Sequence, residues 1–118
     1  MNVILPRKRP KPKRRTGRLD CQGHRTFVKS FYCVAYGLDP KYPCSELIDA
    51  HHTTTKGAGG GDDTCVPMCR AHHSQLDSPG WSQKRFEEHY KLDLKAQAAE
   101  LARISPPLRR YYLKQSRP

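Results

Sequence analysis

Two histidine doublets, His51-His52 and His72-His73, flank a glycine-rich stretch, and Cys69 stands three residues before His72. Histidine is the commonest metal ligand and the side chain best suited to moving protons near neutral pH. Six His and five Cys in 118 residues is a high density of such groups. Helical spacing divides the second doublet. His73 and Asp77 are four residues apart and share a helix face, so an imidazole and a carboxylate can hold one ion there. His72 lies about 100° further round the helix. It can instead join Cys69 as a zinc ligand. Cys33 and Cys44 are spaced more widely than usual for zinc pairs, but Pro40 and Pro43 can fold the segment between them. Cys33, Cys44, Cys69 and His72 are therefore a candidate structural zinc site, against the alternative that these Cys are simply buried thiols.

The first doublet poses a geometric problem. Neighbouring side chains in a regular strand face opposite ways. His51 and His52 reach one site only if their strand ends there and twists, which the polar Thr53-Thr54-Thr55 run allows. One imidazole would then bind metal and the other would take a proton from water.

The elements that must position these groups can be read coarsely. Phe27, Val28 and Phe31 predict a short helix over residues 24–32. Turn signals fill the segment from Cys33 to Cys44. Residues 45–51 read as a strand, 53–63 as a glycine loop, and 64–68 as a second strand in which Pro67 demands an edge or an end. Helices follow over 70–77, over 81–90 with Ser78 or Ser82 as cap, and from the Asp93 cap through Ile104. Pro106-Pro107 is expected to end the fold. Trp81, Phe86 and Tyr90 read as core, Cys65 as core, and His89 as a solvent-facing helix residue. Cys21 and His24 form an isolated pair of the kind that is more often incidental than ligating.

Charge is concentrated at the ends. The net charge is +11, yet residues 19–108 hold ten basic and eleven acidic side chains. Arg7, Lys8, Arg9, Lys11, Lys13, Arg14, Arg15 and Arg18 lie in the first 18 residues, and four more basic residues lie in 109–118, with no acid in either segment. Such segments suit salt-dependent contact with a phosphate backbone, against the blander reading of a solubility tail or localisation signal. The expected organisation is a basic disordered arm (1–18), one folded domain (19–108; core motif 44–77, C-terminal helices 81–104) and a basic tail (109–118). Hydrophobic content of 36% predicts a thin core that benefits from a metal staple. An odd Cys count and the absence of an apolar leader after Met1 favour thiolate ligation over disulfides, and a cytoplasmic location. No window approaches the roughly 18 apolar residues of a membrane span.

The stretch Ala50-His51-His52, the glycine loop, and Asp62-Asp63-Thr64-Cys65-Val66-Pro67-Met68-Cys69-Arg70-Ala71-His72-His73 resembles the HNH endonucleases of phages and prophages. Phe86, Glu87 and Tyr90 match the family's downstream aromatic helix. The resemblance covers about residues 27–95. It implies a small α+β, treble-clef-like ββα-metal fold with flanking helices. It implies metal-dependent hydrolysis of DNA phosphodiesters to 5′-phosphate and 3′-hydroxyl ends, in a bacterial or phage-infected cell. By the same resemblance His51 and His73 are metal ligands and His52 is the general base, while Asp77 stands where relatives often place another His. Some relatives have one His where this chain has two, which leaves His51 as an alternative base. The family's middle asparagine is absent; Asp62, Asp63 and Thr64 occupy that part of the loop and are candidates to restrain it. Lys56 and Arg70 flank the site as candidate phosphate contacts. The ion could be Mg, Mn, Ni or Zn. A non-catalytic zinc-stabilised DNA-binding module is the alternative, and a protein-binding regulator with a zinc fold is a weaker third reading that the basic tails oppose.

Overall fold

The computed structural model describes residues 19–116, apart from the Lys56 side chain. It is a small α+β fold of five helices and one two-stranded sheet. The order is α1 (Gln22–Lys29), β1 (Ile48–His52), β2 (Cys65–Cys69), α2 (Arg70–Leu76), α3 (Gln83–Tyr90), α4 (Leu94–Ile104) and α5 (Pro106–Gln115). The glycine loop carries two 3-10 turns, Lys56–Ala58 and Asp62–Thr64.

The hairpin is antiparallel, with His51 opposite Val66, His52 opposite Cys65 and Ala50 opposite Pro67. Pro67 sits in the middle of β2 without cost to the ladder. Its carbonyl points away from β1 and accepts from the Val34 N–H, so its missing N–H falls on the unpaired side. Beyond the strands, Thr53 N–H donates to the Thr64 carbonyl and Arg70 N–H to the Leu47 carbonyl, which fixes the register at both ends. Gly60 closes the loop: a Cβ there would lie 1.9 Å from the Thr54 carbonyl oxygen, so no other residue fits without moving the backbone.

The core lies between β2 and the C-terminal helices. Val66 and Met68 pack with Leu76, Phe86, Tyr90, Leu94 and Ala98. Phe86 and Tyr90 are buried as their helical spacing predicts, Trp81 is half-buried, and Cys65 is fully buried. The caps also follow the sequence: Ser82 Oγ accepts from Arg85 N–H and Asp93 Oδ1 from Ala96 N–H.

One expectation is corrected. Pro106-Pro107 does not end the fold but opens α5, so residues 106–115 are helix where a basic tail was expected from 109. Proline is favoured in the first helical turn, where its absent N–H would have no partner, and Ser105 caps the helix by accepting from Leu108 N–H. Leu108 is buried, and α5 lies against α1, where a Cβ on Gly23 would sit 3.0 Å from Pro107. His89 is exposed, as expected, and its ring also pairs with Asp39 at 2.8 Å and lies beside Trp81 and Tyr42. Among the described residues no helix is long and apolar enough to cross a membrane.

Candidate metal centres and the histidine doublet

Cys33, Cys44, Cys69 and His72 converge. All four ligand atoms lie within 4.8 Å of one another. His72 Nδ1 is 3.6 Å from Cys33 Sγ, 3.5 Å from Cys44 Sγ and 3.0 Å from Cys69 Sγ. Zinc bound tetrahedrally by thiolate and imidazole separates its ligand atoms by about 3.5–3.8 Å, so small adjustments accommodate the ion. Local structure explains the arrangement. Cys69 is the N-cap of α2 and accepts from the His72 N–H, which places both at one helix start. Phe86 and Tyr90 hold the imidazole from the other side. Burial raises the Cys33 thiol, and burial with the neighbouring Cys69 and Cys33 pushes Cys44 up to about 12. Burial also opposes ionisation of Cys69, but hydrogen bonds from His72 outweigh it and lower the thiol to about 6. The cluster thus carries one ready thiolate and two thiols whose protons a cation would displace. This Cys₃His set fits a metal ion such as zinc.

The second cluster lies between β1 and α2. The His51 and His73 rings are 5.0 Å apart between centroids. His73 Nε2 is 3.6 Å from Asp77 Oδ2, and His73 Nδ1 is 3.3 Å from Asp49 Oδ2. Asp49, two residues before His51 and so on the same face of β1, is a member the sequence reading missed. Burial and the nearby His73 lower the His51 imidazole, which keeps it neutral and able to ligate. Its Nε2 is buried with no hydrogen-bond partner. An orphaned imidazole nitrogen beside a second imidazole and carboxylates has the donor chemistry of a divalent-ion site, but no three of these ligand atoms gather within 4.8 Å of one another as those of the sulfur site do. The grouping is more open than the sulfur site, with Asp77 at the C-cap of α2 and 70% exposed. Arg70 is held loosely by Asp49 at 3.4 Å and is largely exposed.

His52 is elsewhere. The expected convergence of the doublet on one side does not occur, because β1 runs regularly through His52 and alternation holds to its end. His52 Nε2 meets Asp62 Oδ1 at 3.0 Å on the other side of the ribbon. Asp62 is buried and also receives the Cys21 N–H at 2.7 Å and the Arg25 guanidinium. His52, Asp62 and Cys65 form a second set with ligand atoms within 4.8 Å. A carboxylate already paired with Arg25 is a poor partner for a dication, so this set reads as a hydrogen-bonded assembly. Of the three candidate loop supports, Asp62 makes these contacts, and Thr64 ties the loop through its carbonyl to Thr53 and its hydroxyl to Gly61.

His24, read as an incidental neighbour of Cys21, is fully buried, with Nδ1 2.8 Å from Ser105 Oγ. Arg7, Lys8, Arg9, Lys11, Lys13, Arg14, Arg15 and Arg18, and the side chain of Lys56, lie outside what the structure describes. No protein-family model, curated protein or solved structure matches this chain.

Proposed function

We propose that the chain is a metal-dependent endonuclease of the HNH type that hydrolyses DNA phosphodiester bonds. The observation that carries this reading is the pairing of two unlike histidine sites on one strand. His51, with Asp49, His73 and Asp77, offers a ligand set on one side, while His52 sits against a carboxylate on the other. A divalent ion bound by His51, His73 and the carboxylates would supply Lewis-acid stabilisation of the charge on the scissile phosphate and the leaving 3′ oxygen. His52 takes the proton from the attacking water. Arg70, exposed beside Asp49, binds a flanking phosphate. The Cys₃His cluster ties the segment carrying Cys33 and Cys44 to the start of α2, and so holds His73 in place. The basic residues of 1–18 and of α5 supply sequence-independent affinity for the backbone.

A second reading, a zinc-stabilised DNA-binding module without catalysis, is favoured by one observation: the sulfur site is compact, whereas the His51 cluster is open at Asp77.

The test is supercoiled plasmid incubated with wild type and His52→Ala, after EDTA treatment and with Mg, Mn, Ni or Zn restored. Wild type should nick with at least one metal, and the variant should lose about 100-fold or more of the rate while keeping its fold. Retarded but intact plasmid in every metal would select the binding module.

A further inference from the structure

The proton-transfer reading of His52 leaves open which ring nitrogen is basic, and the surroundings of Asp62 decide it. Asp62 Oδ2 accepts the Cys21 N–H and the Arg25 guanidinium, and Oδ1 faces His52 Nε2 at 3.0 Å. The Asp62 carboxylate, ion-paired with the Arg25 guanidinium, can only accept. The hydrogen between Asp62 and His52 must then sit on Nε2. The neutral imidazole is left with its lone pair on Nδ1, turned away from the carboxylate.

We propose that Asp62 is a positioning residue that locks His52 in the Nε2–H tautomer, and that Arg25, from α1 outside the hairpin–helix unit, pairs with Asp62 and holds it in place for that task. This rests on the nuclease reading only for its catalytic consequence. The tautomer is a property of the folded chain. Four features make the arrangement built rather than casual. Asp62 is 4% exposed, so each of its contacts replaces lost water. Asp62 N–H donates to the Leu19 carbonyl while the Asp62 side chain receives Cys21 N–H, so the 19–21 segment grips the residue by backbone and side chain. Gly61 lets that segment approach: a Cβ there would stand 2.6 Å from Leu19 N. Arg25 is also braced by Asp20 at 2.8 Å. Asp62 thus occupies, in chemical terms, the place of a carboxylate that orients a catalytic imidazole.

The experiment is ¹⁵N NMR of the His52 ring in full-length protein labelled at histidine and supplied with one equivalent of zinc, at about pH 8, where an ordinary imidazole is neutral. The expected wild-type signature is a protonated Nε2 and an unprotonated Nδ1. Asp62→Asn, whose amide can donate to the ring, should lose or reverse that pattern and lower plasmid nicking about 100-fold or more. Arg25→Met should weaken the preference. Wild-type His52 with the proton on Nδ1, or shared equally, overturns the proposal without any variant having to fold. So does a Nε2 shift showing bound zinc. A locked Nε2–H tautomer without nicking in any metal supports the positioning by Asp62 and removes the nuclease reading. Nicking that needs His52 but not Asp62 does the reverse.

Discussion

Cys44 shows how strongly a single side chain in this molecule depends on its neighbours. Burial, with Cys69 and Cys33 close by, pushes its thiol up to about 12, yet with Cys33, Cys69 and His72 it completes a Cys₃His donor set. Purified protein should therefore carry zinc, and Cys44→Ser should lose it and destabilise the domain by on the order of several kcal/mol, because metal binding is folding free energy here. Metal analysis with thermal melting checks this, and Cys65→Ser, outside the set, should leave zinc content unchanged. The Cys69–His72 half of the site was legible because it is a local helix-start pattern. Its partners Cys33 and Cys44 were readable from type and turn content. Asp49, the ring contact of Asp62 and the Asp39–His89 pair were not: their partners stand 24, 10 and 50 residues away, with no periodicity to announce them.

At the scale of elements, the strands, α2, α3 and α4 follow their patterns to within a few residues, since alternation, caps and apolar stripes all agree. α5 did not, because a Pro-Pro pair stops a preceding helix and starts a following one with equal ease, and only the partner surface decides. That surface is α1. His24 Nδ1 meets Ser105 Oγ, the same atom that caps α5. The Ser hydroxyl accepts from Leu108 N–H and shares a second hydrogen bond with the His24 ring. Burial lowers the His24 imidazole, with Asp62 and Asp63 only partly opposing. The unfolded chain takes up a proton below about pH 6.5 while the buried ring resists it. The α1–α5 contact should then be at full strength above that pH and weaken as pH falls through the folded value. Melting temperatures should decline from about pH 7 to 5, and His24→Gln should flatten the slope even if it lowers the plateau. An unchanged slope would place the acid loss at His51, whose imidazole is lowered in the same direction.

For the molecule as a whole, the hairpin acts as a partition. β1 holds His51 toward the carboxylates and His73 on one side and His52 toward Asp62 on the other. Under the nuclease reading, a phosphodiester seated across the ribbon receives its water from the His52 side and releases its 3′ oxygen toward the ligand side. Entering and departing oxygens then stand opposite each other about phosphorus, the in-line geometry of direct displacement. The handedness of the phosphorus centre records this: a phosphorothioate diester of one configuration, cleaved in heavy-oxygen water, should yield product of inverted configuration. Retention would mean two displacements through a covalent enzyme intermediate, for which a strand that separates its two histidines in this way offers no place.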